Sequence, residues 1–166
     1  IKRYLVILYK DGSYYNTYDA GTSLSYNITN LQTGSYYAKV RAEDRAGNTA
    51  DSTQVGPFKL DITLPSYSGQ SPTGTIYDSK PDDIVLTITW TDVGGGVATV
   101  KFRYKYGSGS WTAWQSPSSQ SGSTYYFSVD VQEWKQHIGE YLYWQSYSID
   151  AAGNIRYTTT FSVYLD

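Results

Sequence analysis

An all-β chain of two tandem β-sandwich units is predicted by three features of the sequence. The first is a repeated turn: Asp44-Arg45-Ala46-Gly47-Asn48 and Asp150-Ala151-Ala152-Gly153-Asn154 lie 106 residues apart, each after a tyrosine-rich alternating run. An Asp side chain caps such a bend, and Gly and Asn tolerate positive φ, so each copy reads as the turn of a hairpin. The second is the rhythm of short alternating runs and turn residues at roughly 8 to 12 positions, the spacing of a sandwich. The third is composition: 19 Tyr and 15 Gly accompany only 17% charged residues, a strand-and-turn inventory. One repeat length is close to one sandwich of about 100 residues. The expected domains are therefore 1–61, a partial sandwich, and 62–166, a complete one.

Taken in order, Lys2–Lys10 reads as a strand with Tyr4, Val6 and Leu8 on one side, and Asp11-Gly12 is a hairpin signal. A second strand is expected at Tyr14–Tyr18 and a third around Leu24–Ile28. Tyr36, Ala38, Val40 and Ala42 then alternate with period two, which puts them on one face. Thr49–Leu60 closes the first unit, interrupted at Gly56-Pro57. Asp61–Pro65 is an extended linker, because a proline biases its predecessor away from helix. The second unit adds a strand that the first lacks: Ile84, Leu86, Ile88 and Trp90 alternate before the loop Asp92–Gly96. Val100, Phe102 and Tyr104 match Tyr4, Val6 and Leu8, with Gly107-Ser108-Gly109 in place of Asp11-Gly12. Further strands are expected at Trp111–Trp114, Tyr125–Val131, Tyr141–Ile149 and Phe161–Val163. Val131–His137 is the one helical stretch, a turn or two long.

These residues resemble the fibronectin type III and bacterial or archaeal Ig-like domain superfamily. The pattern is Tyr4-x-Val6, Lys10-Asp11-Gly12, Ser25–Leu31, then Gly34-x-Tyr36-x-Ala38-x-Val40-x-Ala42-x-Asp44 and Ala46-Gly47-Asn48. The resemblance puts Tyr36 at the tyrosine corner of such domains. In the second unit Leu142 stands at that position, with Tyr141 and Tyr143 as substitutes, and Asp61-x-Thr63-x-Pro65 looks like a linker between modules. The first unit's pattern starts at the third strand of the family, so its opening strands are missing. Either they lie upstream in a longer protein, of which this chain is an excerpt, or a strand from a neighbouring molecule fills the groove. Asp166 after Phe161-x-Val163 repeats Asp61 after Phe58-x-Leu60, which suggests that another module follows.

Several chemistries are set aside by composition. There is no Cys and a single His, His137, so thiolate metal clusters and His-dependent nucleophilic triads cannot be assembled conventionally. A formal net charge of −2 does not supply the basic patch of a nucleic-acid binder. No apolar run reaches the 18 or so residues that span a bilayer as a helix. The expectation is a protein that is not an enzyme. Asp and Asn oxygens at the ends of a sandwich are the hard ligands that suit calcium, and the candidates are Asp92, Asp82 and Asp61; Asp44 and Asp150 are claimed by their turns.

Exposed aromatic rings stack on sugars, and Trp134 and Trp111 are the candidates; Trp111 and Trp114, three apart on an expected strand, would point to opposite faces. Trp90 and Trp144 fit core positions. Asn27-Ile28-Thr29 is an N-glycosylation sequon. Together these features lead to a structural module of an extracellular or cell-surface protein: an S-layer, a surface filament or an adhesin-like stalk. Its expected partners are other copies of itself or neighbouring modules. The alternative is an accessory, carbohydrate-binding module of a secreted hydrolase.

Overall fold

Asp11 and Gly12 both adopt positive φ, at 49° and 83°, the backbone of the tight turn whose twist matches a right-twisted hairpin. They join β1 (Arg3–Lys10) to β2 (Ser13–Gly21). In this computed structural model, which describes residues 1–166, the chain divides into two compact units, Ile1–Ile62 and Thr63–Asp166. In the first, β3 (Gly34–Glu43) pairs with the other edge of β1, with Val6 opposite Val40 and Leu8 opposite Ala38. β4 (Thr49–Asp51) and β5 (Val55–Leu60) share the far edge of β3. The unit is thus a single antiparallel sheet of five strands.

Two expectations change here. The closing run breaks at residues 52–54 rather than at Gly56-Pro57, because the Ser52 N–H donates to the Val40 carbonyl (2.8 Å) while its Oγ accepts from the Val40 N–H (3.0 Å). Gly56 lies inside β5 at φ 128°, where an added Cβ would sit 2.7 Å from the Tyr36 carbonyl oxygen, so only glycine fits this irregular pairing. The strand expected around Leu24–Ile28 does not form. No strand of the unit pairs with it, and Leu24 is 91% exposed.

The second unit runs β6 (Ser66–Ser71), β7 (Thr75–Ile76), β8 (Ile84–Thr91), β9 (Val97–Tyr106), β10 (Ser119–Ser121), β11 (Thr124–Val129), α1 (Val131–Trp134), β12 (Tyr141–Asp150), β13 (Ile155–Tyr157) and β14 (Phe161–Leu165). One sheet has the order β10-β11-β8-β6. The other is built on β12, which pairs with β9 on one edge and with β13 and β14 on the other, while β7 adds to β14 in parallel. Alternation in β8 sends Ile84, Leu86, Ile88 and Trp90 inward, all at most 1% exposed, against Phe102, Leu142, Trp144 and Val163 of the facing sheet. This is an Ig-like two-layer sandwich with its core between the sheets. The indole N–H of Trp90 donates to Ser146 Oγ at 3.0 Å, so its burial leaves no orphaned donor.

The helical stretch is short, as its sequence implies. Asp130 caps it through an Oδ1 that accepts from the Gln132 N–H at 2.7 Å, and a 3-10 turn over Lys135–His137 follows. Trp111–Trp114 is not a strand. Gln115 makes one bridge to Phe102, and Thr112 bonds the Tyr104 carbonyl.

Candidate functional site

The two copies of the repeated turn have the same bonding. In each, the leading Asp accepts the N–H groups two and four residues on through Oδ1 and the closing Asn side-chain amide through Oδ2. The distances are 2.8, 2.9 and 2.8 Å for Asp44 and 2.8 Å three times for Asp150. Gly47 and Gly153 take φ 91° and 94°. Both carboxylates therefore serve their hairpins, as the turn chemistry requires.

Within the second unit the acidic candidates Asp82 and Asp92 stand at opposite ends of β8. Asp82 is exposed just before β8 and Asp92 follows its end, so the strand separates them by roughly 30 Å at about 3.3 Å per residue. Asp61 belongs to the first unit, where it accepts from Thr33 Oγ1 at 3.4 Å. Asp92 shares one pole of the second unit with Asp150, their nearest carboxylate oxygens lying within 4.8 Å. Turn bonds occupy three of those four oxygens, since Asp92 Oδ2 accepts from the N–H groups of Gly95 and Gly96. Asp92 Oδ1 is buried without a hydrogen bond.

Trp134, a candidate for sugar stacking, is fully buried and donates its indole N–H to the Asp82 carbonyl at 3.3 Å. The reason is the helix phase: α1 turns this ring into the core, where no sugar reaches it. Asn27 is exposed on the connection between β2 and β3. His137 lies flat on Tyr106, with ring centroids 3.7 Å apart, and its Nδ1 is 3.6 Å from Glu140. The Tyr104 hydroxyl donates to both Glu133 oxygens at 2.9 Å, and burial together with that carboxylate holds its pKa well above the ordinary tyrosine value.

Tyr36 forms the corner that the resemblance implied. Its hydroxyl donates to the Gln32 carbonyl at 2.7 Å and accepts from the Gln32 N–H at 3.2 Å, with the residue 2% exposed. In the second unit neither Tyr141 nor Tyr143 takes over that role. The fully buried Leu142 packs into the core instead, and its neighbours face the other way across the pleat.

The outward face of the β9–β12 sheet carries the arrangement that sequence reasoning missed. Opposite the buried Val100, Phe102 and Tyr104, β9 presents Lys101, Arg103 and Lys105. The Arg103 guanidinium lies 4.7 Å from the Trp111 ring and 4.4 Å from the Trp114 ring. Trp111 and Trp114 thus share one side, against the expectation of opposite faces. Thr112 to Gln115 spans three residues against the two from Tyr104 to Phe102, and that extra residue, like a β-bulge, reverses the alternation. Lys105 Nζ sits 5.6 Å from Trp111 and 5.4 Å from Tyr143. Trp114 packs edge-on against Tyr147, which packs on Tyr157. Gln145 fixes the centre, accepting from Arg103 Nε at 2.9 Å and Nη2 at 2.6 Å while donating to Thr160 Oγ1 at 2.8 Å. The legible signal was Lys101-x-Arg103-x-Lys105 beside Tyr141-x-Tyr143, a second period-two pattern out of phase with the core.

No family model and no curated protein matches this chain. Among solved structures the chain is similar to the amphioxus IgVJ-C2 molecule, at 16% sequence identity and a TM-score of 0.37, over 98% of this chain and 88% of that one.

Proposed function

We propose that the chain is a non-enzymatic structural module of an extracellular or cell-surface protein, whose first unit completes its sandwich with strand material beyond residues 1–62. The observation that carries this reading is the incompletely covered inner face of that unit's sheet, where Leu8 and Tyr36 are buried but Val40 and Phe58 are not. Val6 and Val40 of the first unit stand where Phe102 and Ser146 of the second stand in an identical pairing. Phe102 and Ser146 are fully buried beneath β8 and β11, whereas Val40 is 40% and Phe58 56% exposed. Tyr4, Val6, Ala20, Leu24, Tyr26 and Val40 line a cleft of about 300 Å³. An apolar sheet face of this kind gains stability when another layer covers it, and strand addition is a known way to supply one. Rigid sandwiches joined by a short extended segment suit spacing and assembly in a stalk, an S-layer or a filament.

The test is to purify residues 1–166 and measure mass by light scattering together with binding of an apolar dye. Self-association or dye binding that Val40→Lys abolishes is the expected result. A dye-silent monomer indifferent to Val40→Lys would overturn the reading.

A further inference from the structure

We propose that the outward face of the β9–β12 sheet is a binding surface for an anionic polysaccharide, carrying carboxylate or sulfate groups, which stacks on its aromatic rings and neutralises its line of cations. The inference concerns the second unit alone and goes beyond the structural role proposed above. Three observations support it.

First, the cations are unmatched. Lys101, Arg103 and Lys105 stand at alternate positions of one strand, in steps of roughly 6.8 Å, and none makes an ion pair. The only acidic residue of β9, β12, β13 and β14 is Asp150, 2% exposed and spent in its turn. A positive strip without an acid of its own is complementary to an anion.

Second, the strip is interleaved with rings. The outer face of an antiparallel sheet is ordinarily polar, yet here Trp111, Trp114, Tyr143 and Tyr147 occupy it, all half-buried. Such rings present rigid apolar surface at low entropic cost, with a polar edge.

Third, the cationic centre is held in place before any ligand arrives. Arg103 is fixed by Gln145 and flanked by two indoles, while Lys105 Nζ has no hydrogen-bond partner and Lys101 Nζ has only Ser116 Oγ, at 2.8 Å. Little freedom is lost on binding at such a site.

The extent of the basic surface, and the rings beside it, select among polyanions. Acidic side chains outnumber basic ones across residues 63–166, so the unit lacks the extended basic surface that holds nucleic acid along its phosphates. An acidic polypeptide has the carboxylates but lacks the flat apolar faces that sugar rings offer to indoles. A polysaccharide with spaced anionic groups offers both.

The experiment is affinity electrophoresis of residues 1–166 at pH 7 through gels containing alginate, dextran sulfate, neutral dextran, poly-glutamate or single-stranded DNA. Retardation by alginate, dextran sulfate or both, and by neither poly-glutamate nor DNA, is expected; the two positive arms tell carboxylate from sulfate. Lys105→Gln and Lys101→Gln, which remove amines of the outward face without touching the core, are each expected to weaken binding about tenfold, the scale of one charged contact. Arg103→Gln is expected to weaken it further, with circular dichroism checking its fold. The proposal is overturned by no retardation in either anionic glycan, by equal retardation in neutral dextran, by stronger retardation in poly-glutamate or DNA, or by lysine variants that bind like the parent. Val40→Lys, in the first unit, leaves binding unchanged, so failure here is separable from failure of the structural reading.

Discussion

The first unit's sheet and the β9–β12 sheet of the second share one backbone plan with two different finishes. Val6 faces Val40 and Leu8 faces Ala38; Phe102 faces Ser146 and Tyr104 faces Trp144, the same pattern of partners recurring in the second unit. Even the bond that ends the turn hairpin recurs, as Ser52 with Val40 and Thr158 with Ser146. On the inner side, Val6, Leu8 and Ala38 on a partly open face stand where Phe102, Tyr104 and Trp144 are buried under a second sheet. On the outer side, Arg41 opposite Asp51 in the first unit becomes Tyr147 opposite Tyr157 in the second. Asp51 binds both Lys39 and Arg41, and Glu43 binds Lys2 and Arg3. One face is thus closed by ion pairs and the other left cationic and aromatic. Turns and alternation set the register, and the residues placed on it decide which faces stay available.

The largest expected contrast is in the two inner faces. Phe102→Ala removes a fully buried ring and is expected to cost the second unit about 3–5 kcal/mol. Val6→Ala, at the open face, is expected to cost the first unit about 1 kcal/mol. Urea unfolding followed by signals specific to each unit measures both, and equal losses would break the comparison.

Next come the repeated turns. Asp150→Ala leaves two backbone N–H groups and an amide unbonded at a site 2% exposed and is expected to cost about 2–3 kcal/mol. Asp44→Ala breaks the same bonds where water can replace them, and about 1 kcal/mol is expected. A larger cost at Asp44 would mean that burial does not separate the two copies.

The smallest effect is electrostatic. Hydrogen bonds from Arg41 and then Lys39 hold the Asp51 carboxyl well below the usual carboxylate range, and those from Lys2 and then Arg3 lower Glu43. A pKa lowered by folding stabilises the fold above the ordinary value of about 4, and that contribution disappears as pH falls through the lowered one. The first unit's urea midpoint is expected to drop modestly between pH 7 and pH 2, since these pairs are exposed. Asp51→Asn is expected to reduce the drop; an unchanged drop in that variant would remove the ion pairs from the account.

Much of the fold was legible because it rests on local signals. The hairpin at Asp11-Gly12 follows from positive φ, the core of β8 from the alternation Ile84 to Trp90, and the paired turns from Asp bonding its own following residues. The Tyr36 corner was carried by a resemblance and lies within four residues of its partner. The candidate site was legible only in pieces. Lys101, Arg103 and Lys105 show an outward period, but their sequence does not say whether acids or rings stand across from them.

The sequence by itself determined where strands begin, turn and alternate, because those preferences act over two to five residues. Tertiary structure alone decided what each side chain meets. One extra residue opposite Tyr104 and Phe102 brought Trp111 and Trp114 to the same side, and one helical turn carried Trp134 into the core. The lack of a pairing partner kept Leu24–Ile28 from becoming a strand. Each outcome depends on a neighbour distant in sequence, since burial and sheet hydrogen bonds are properties of pairs of segments rather than of either one.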